Sequence, residues 1–373
     1  MSPTGPHRSS CDLIVVGAGA VGLASAWRAV RAGMSVTVVE RDRAGAGASG
    51  VAAGMLAPVT EADFGEEELL AMNLEGRALW GDFASLLEDR SGLASGYVDS
   101  GCLVVAIDRD DGEELRRLHS FQQGLGLRSE WLAPRAARTL EPGLSPRIAG
   151  AIITPEDGQV DPAAVVAALA RAFSNDGGEL REGVEVTELV EHGGRVTGVR
   201  TAEGIELRAP AVLVAAGAWS AAGGLGELPA APPVRPVKGQ LLELRVRAGH
   251  GLPAERVVRT PRCYVVPRAD GRVVVGATTE EQGFDLTVTA DGVFRLLEAA
   301  IEVLPDVAEL ELVHARAGLR PGTPEGRPVI AAAGPEGLLW ATGHGRNGVL
   351  LAPLTAERVL GLLGAPAPSG ARV

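Results

Sequence analysis

Cysteine is scarce in this 373-residue chain: Cys11, Cys102 and Cys263 stand far apart and form no C-x-x-C pair. Neither a disulfide framework nor a zinc finger is therefore encoded. The six histidines are scattered without metal-ligand spacing, and no G-x-S-x-G elbow or Ser/His/Asp arrangement appears. Basic residues are outnumbered, 35 Lys and Arg against 47 Asp and Glu, for a net charge of −12. That balance argues against nucleic acid or an anionic membrane as the main partner. No apolar run approaches the length of a membrane span, and residues 1–10 lack the apolar core of a signal peptide. These absences predict a cytoplasmic protein with a disordered tail at residues 1–10.

What the chain does have is a hydrophobic fraction of 46% and 50 glycines. Its length predicts two domains or one elaborated domain. Asp12 to Val16 is a continuous apolar run, the pattern of a strand buried on both faces of a parallel sheet. Gly17, Gly19 and Gly22 follow at G-x-G-x-x-G spacing. A helix over Leu23 to Ala32 is closed by Gly33, and a second strand, Ser35 to Val39, ends in Glu40. Glycines so placed permit a tight turn, close approach of a pyrophosphate to the helix N-terminus, and tight helix–strand packing. An acid about 20 positions on accepts hydrogen bonds from ribose hydroxyls, and Glu40 suits a free 2′-hydroxyl better than a 2′-phosphate. Residues 41–58 are small and glycine-rich, where a nicotinamide enzyme would continue into another crossover helix. Such a segment lets backbone amides approach a bulky cofactor, with Ser49 as a hydroxyl donor; a mobile surface loop is the alternative.

Residues 66–90 predict an acidic amphipathic helix, Gly101 to Ile107 a strand and 111–125 a polar helix. Asp161 and Pro162 read as N-cap and first residue of a further helix. A strand begins at Gly183, a hairpin spans Val196 to Thr201 and Ile205 to Arg208, and Ala211 to Trp219 forms a buried strand. Its small residues, Gly217 among them, could pass beneath a cofactor or form an ordinary junction. Val237 to Val246, Arg262 to Pro267 and Arg272 to Thr278 predict antiparallel strands, the last two joined through Ala269-Asp270-Gly271. The expected fold is α/β: a Rossmann-like dinucleotide domain (11–90, 150–230 and 316–373) with an inserted α+β domain (91–149 and 231–315). The latter is built on a mixed, largely antiparallel sheet.

Residues 317–330 are rich in turn formers, and with Arg316 just ahead they carry three arginines, Arg316, Arg320 and Arg327. Arginine presents a planar fork that grips a carboxylate through two hydrogen bonds. Near the C-terminus, Gly343 to Pro353 follows a short apolar strand as a turn leading into a helix, aiming free N–H groups at whatever lies above. If that turn sits on a cofactor, Arg320 and Arg346 can meet in one pocket, with Tyr264, one of two tyrosines, on the inserted sheet. Solvated or ion-paired surface positions remain the alternative for each arginine. His344, between glycines, reads as a structural residue rather than a base.

Together these motifs resemble the D-amino-acid oxidase superfamily of FAD enzymes, and most closely the glycine oxidases of the thiamine pathway. The resemblance runs from Asp12 to about Leu363. It is carried by Ala52-Ala53-Gly54-Met55-Leu56, by Cys263-Tyr264-Val265-Val266-Pro267-Arg268, by Ala317 to Thr323 and by Gly343 to Pro353. It implies that Gly17, Gly19, Ala20, Val21 and Gly22 hold the FAD pyrophosphate and that Glu40, beside Arg41, holds the adenosine ribose. Ala48, Ser49, Ala53, Gly54 and Met55 would line the pyrophosphate and flavin, Val186 the adenine end, and Gly217 the cofactor's underside. His344, Gly345, Arg346, Asn347, Gly348, Val349 and Leu350 would approach the flavin pyrimidine edge. Arg320 would pair with the substrate carboxylate, with Tyr264, Met55 and Arg346 as its neighbours. One departure stands out: Arg262 occupies a position where histidine is expected, an extra cation that could favour other acids. No cysteine follows Cys263, so FAD is expected to be non-covalent. The implied reaction is oxidative deamination of glycine, sarcosine or small D-amino acids, with O2 reduced to H2O2. A D-amino-acid or sarcosine-type oxidase or dehydrogenase is the alternative, and a tetramer is expected by analogy.

Overall fold

Leu13–Val16 shows no polar alternation because both of its faces are covered: it is a fully buried strand inside a six-stranded sheet. In this computed structural model, residues 10–225 and 230–365 are described. The sheet runs Val329–Ala332, Leu338–Thr342, Ala211–Val214, Leu13–Val16, Val36–Glu40, Glu179–Glu182. All of its pairs are parallel except the antiparallel edge strand Val329–Ala332. Leu13 and Val15 pack against helices Ala20–Arg31 and Pro162–Asn175 through Leu23, Trp27, Leu169 and Phe173. Ile14 and Val16 face the other way, toward Val196, Val199 and Leu207 of a three-stranded antiparallel sheet. Asp161 caps the second helix by accepting from the N–H groups of Ala163 and Ala164, with Pro162 in the first turn.

The second layer is an eight-stranded sheet. Its order is Glu311–Gly322, Arg235–Arg245, Arg272–Gly276, Tyr264–Pro267, Val257–Arg259, Cys102–Ala106, Gly150–Thr154, Glu130–Leu132. Only the pair between Val257–Arg259 and Cys102–Ala106 is parallel. Helix Ala290–Val303 covers one face through Leu296, Ala300 and Val303 against Leu242, Leu244 and Val275. The other face, with Leu241, Val266 and Val274, packs on Ala53 and Ala57.

Several expectations shift. Of the predicted tail, residues 1–9 lie outside the described residues, as do 226–229 and 366–373 at the predicted domain ends; Ser10 bridges Arg208. The strand expected from Gly183 starts at Val186, because Gly183 turns the chain at φ +72. The strand at Ala211 ends at Val214, and Gly217–Ala221 is a 3-10 turn entered through Gly217 at φ +56. The turn-rich stretch carrying Arg320 is the second half of a twelve-residue edge strand, Glu311–Gly322. An edge position tolerates Pro321, which donates no ladder hydrogen bond. Gly150–Thr154 and all of Glu311–Gly322 pair in the eight-stranded sheet, whereas boundaries at 150 and 316 would give the former, and part of the latter, to the dinucleotide domain. Among the described residues, no helix is long and apolar enough to cross a membrane, and no cluster is arranged to hold a metal ion.

Candidate functional site

A cavity of about 820 Å³ starts at the C-terminal ends of Leu13–Val16 and Val36–Glu40 and extends across the face of the eight-stranded sheet. That volume lies in the upper part of the range for ligand sites, roughly 300–1,000 Å³. Gly17 begins it with φ +106, and a Cβ there would stand 2.5 Å from the Ala215 carbonyl oxygen. Helix Ala20–Arg31 has no side-chain cap and no acid in its first turn, so its N-terminus stands ready for an anion. Gly19, Ala20 and Val21 line the cavity there. The Glu40 carboxylate accepts from the N–H groups of Ala18 (2.8 Å) and Asp42 (3.0 Å), and its remaining lone pairs can accept from ribose hydroxyls. Ser49 Oγ accepts from Ala20 N–H at 3.0 Å, which leaves its own hydrogen to donate. Arg41 lies over the Trp219 ring at 4.7 Å, and Trp219 meets Phe284 at 5.7 Å. Ala48, Val186 and Gly217 complete this end. A helix N-terminus free of acids, a serine hydroxyl beside it, an acid at the next strand's tip and a floor of small residues together fit the diphosphate and ribose of FAD.

The Ala53-Gly54-Met55 segment is fixed from below. Val160 N–H donates to the Gly54 carbonyl at 2.8 Å, and Met55 pairs with Gln159. The buried Arg268 donates to Gln159 Oε1 and to the Ala53 carbonyl; burial lowers its pKa to about 10, which still leaves it cationic at neutral pH. Asp157, whose carboxyl burial raises to about 6, accepts from the N–H groups of Val59 and Thr60 just beyond. The sequence predicts neither residue as a support, since nothing local marks the contact.

In the C-terminal turn, His344, Gly345, Arg346, Gly348 and Val349 line the cavity. His344 is 3% exposed, shares a hydrogen bond with Thr355 Oγ1 at 2.9 Å, and burial depresses its pKa to about 4. The imidazole is therefore neutral at physiological pH. Three expected cofactor contacts, Gly22, Asn347 and Leu350, do not line the cavity. Gly22 packs on Gly17 and Ala215, the Leu350 carbonyl accepts from the Trp80 indole, and Asn347 is buried with its carbonyl accepting from Leu351 N–H. Gly22 and Leu350 serve packing of the turn and helix, while the buried side-chain oxygen of Asn347 has no hydrogen-bond partner among the described residues.

At the far end, Leu241, Gly276, Tyr264 and Arg259 are direct cross-strand neighbours in one row, so they share a face. A Cβ on Gly276 would stand 2.5 Å from Tyr264 Cζ, and one on Gly239 would stand 2.6 Å from Arg320 Cζ. The phenol and the guanidinium thus occupy the space that these glycines leave open on the sheet. Arg320 Nη1 donates to the Thr278 carbonyl at 3.1 Å. Tyr264 is open to the cavity but shielded from bulk water, which raises its pKa against the opposing pull of Arg320; it is a neutral donor. Met55 lines the cavity as well and packs on the same apolar cluster as Tyr264.

Two arginines differ from expectation. Arg346 does line the cavity, but it pairs with Glu66 at 2.5 Å and lies 3.8 Å from the Glu61 carboxylate. Glu61, a lining residue that the sequence does not point to, has no local motif around it. Arg262 is paired with Glu302 and, at 3.9 Å, Glu298, one turn apart on helix Ala290–Val303. Its charge is answered by two acids rather than left as a free cation.

The family model described as DAO: FAD dependent oxidoreductase matches residues 12–361. The chain is 36% identical over 354 residues to a bifunctional protein ThiO/ThiG of Nostoc sp., covering 94% of this chain and 52% of that protein. It thus spans about half the length of that relative. It is 35% identical to a glycine oxidase of Geobacillus kaustophilus, covering 94% and 92% of the two chains. A crystal structure of glycine oxidase from the same organism superposes with a TM-score of 0.88, 34% identity and 95% coverage of each chain. An iminodiacetate oxidase from Chelativorans sp. BNC1 superposes with a TM-score of 0.85, 29% identity and coverage of 95% and 96%.

Proposed function

The chain belongs to the DAO family of FAD-dependent oxidoreductases, and from that premise we propose that it oxidises glycine, with sarcosine and small D-amino acids as alternative substrates. The overall change is amino acid, O2 and water to oxo acid, ammonia (methylamine from sarcosine) and H2O2, through hydrolysis of an imino acid. The observation that carries this reading is the Arg320 guanidinium, laid across Gly239 in the cavity wall beside Tyr264. A planar cation there suits bidentate capture of a carboxylate, and the neutral Tyr264 hydroxyl can donate to the same group. When bound, FAD supplies a two-electron acceptor for the substrate Cα–H bond.

The residues around that bond have only to bind and orient. Arg320 fixes the carboxylate, Tyr264 limits its rotation, and Met55 adds an apolar wall. Orientation of this kind carries a large share of the barrier reduction, and the substrate need only enter as the neutral amine. Backbone at Gly345 and Gly348 lines the approach to the cofactor with the uncharged His344 behind it, and the charged residue of the turn, Arg346, is paired with Glu66. No cysteine follows Cys263, in keeping with non-covalent FAD. Relatives bearing the name glycine oxidase support the substrate assignment. A place in thiamine thiazole synthesis, in the cytoplasm and as a tetramer, completes the proposal by likeness to such enzymes.

The test is a visible spectrum of the purified protein, then anaerobic addition of glycine, sarcosine or D-alanine, and an oxygen electrode. Bleaching of the flavin by glycine with O2 uptake is expected. Colour that survives every amine would sink the proposal, and bleaching without O2 uptake would reassign the protein as a dehydrogenase.

A further inference from the structure

Five arginines line the cavity: Arg41, Arg259, Arg262, Arg320 and Arg346. Three have acid partners, Arg41 with Asp42, Arg262 with Glu298 and Glu302, and Arg346 with Glu61 and Glu66. Among the described residues, no carboxylate oxygen comes within 4.0 Å of a guanidinium nitrogen of Arg320 or Arg259. Arg320 is accounted for by the substrate carboxylate. Arg259 is not. Its Nη1 donates to the Thr60 carbonyl at 2.6 Å, which uses one of five N–H donors. A half-buried cation facing a cavity without a counter-charge is costly to keep unless a ligand supplies one.

Resting on the function proposed above, we propose that Arg259 receives a second acidic group, so that the preferred substrate is an amino dicarboxylate. The placement supports this. Arg259 and Tyr264 are directly opposed on neighbouring strands and share the cavity face. The Tyr264 ring reaches over Gly276 toward Arg320, whose head lies over Gly239 two strands from Tyr264. Three strand spacings, about 14 Å, separate the strand beneath the Arg320 head from the strand that carries Arg259. Two carboxylates flanking an amine can be shared between these two cations, one on each guanidinium, with the Tyr264 hydroxyl between them. The acid lining this half, Glu61, is faced by Arg346 and leaves both guanidinium groups free.

The experiment compares matched substrates that differ by one carboxylate, iminodiacetate with sarcosine and D-aspartate with D-alanine, in the flavin-loaded wild type, Arg259→Gln and Arg259→Lys. The wild type should favour the diacid of each pair in kcat/KM. In Arg259→Gln that preference should fall by roughly 10- to 100-fold, the usual cost of a lost hydrogen-bonded charge contact. Arg259→Lys should restore part of it. Calorimetry with the non-reacting pair succinate and propionate gives a second reading, with succinate weakened more than propionate in Arg259→Gln. A diacid-to-monoacid ratio that stays unchanged in Arg259→Gln would overturn the proposal and leave Arg259 as an anchor for Thr60. So would a wild type that favours neither diacid and binds succinate no better than propionate. If no amine reduces the flavin, the oxidase reading fails, and the calorimetric pair still decides the role of Arg259.

Discussion

At one end of the cavity, Gly17 to Val21, Glu40 and Ser49 come from a single short stretch of chain and work largely through backbone and local geometry. At the other end, Met55, Arg259, Tyr264 and Arg320 arrive from four separate strands and work through side chains. The first kind of site is intolerant of added atoms, because a Cβ on Gly17 or Gly22 would fall on the carbonyl oxygen of Ala215 or Gly17. The second kind depends on single charges, and on glycines elsewhere that make room for them. Gly239 and Gly276 bind nothing themselves, yet they decide where Arg320 and Tyr264 lie.

This contrast is tested most severely at Gly17. Gly17→Ala combines left-handed backbone strain with overlap on the Ala215 carbonyl, about 4 kcal/mol in sum. The protein should lose that much stability in urea unfolding and be purified without flavin colour; a yellow, fully stable variant would contradict the backbone account. Arg320→Met probes the other end. It should keep its flavin spectrum while kcat/KM for glycine drops roughly 10²-fold, about 3 kcal/mol, and unchanged kinetics would remove Arg320 from the site.

His344 offers a measure of burial where the two ends meet. Its folded pKa, about 4, is depressed below the ordinary 6.5, so the unfolded chain takes up the proton first. The stability it contributes is complete above pH 6.5 and is lost as pH falls toward 4, by at most about 3 kcal/mol. Asp157, raised from 3.8 to about 6, favours the folded state at low pH and loses that contribution as pH rises through 6. The two offset each other between pH 4 and 6. The difference between wild type and His344→Asn in urea midpoint against pH, rather than the wild-type curve, therefore isolates the histidine. A difference that does not change with pH would mean that His344 is hydrated. The smallest effect belongs to Glu66→Gln, which removes a half-exposed partner of Arg346 and should shift stability by less than about 1 kcal/mol. A larger loss would make the turn at Gly345 depend on that ion pair.

Most of the dinucleotide end is legible in the sequence, because a strand, a glycine turn, a helix and an acid at fixed offsets form one contiguous unit. Asp161 and Pro162 are legible for the same reason: a cap is a local event. Gly22, Asn347 and Leu350 read as cofactor contacts because they sit inside motifs whose other residues line the cavity, but a turn has an inner side as well as an outer one. The strand under Arg320 reads as a series of turns, since glycine and proline at an edge look locally like turn formers. The contacts of Glu61, Arg268 and Asp157 carry no local signal, because their partners lie far along the chain.

Short-range spacing and residue chemistry suffice for the Rossmann-like unit, the acid at Glu40 and the presence of arginines near a substrate pocket, so these can be read from the amino-acid order alone. Which of the arginines are free cannot, and follows from the folded arrangement. Ion pairing is set by distances between elements remote in sequence, and those placed acids beside Arg262 and Arg346 while leaving Arg259 and Arg320 facing the cavity.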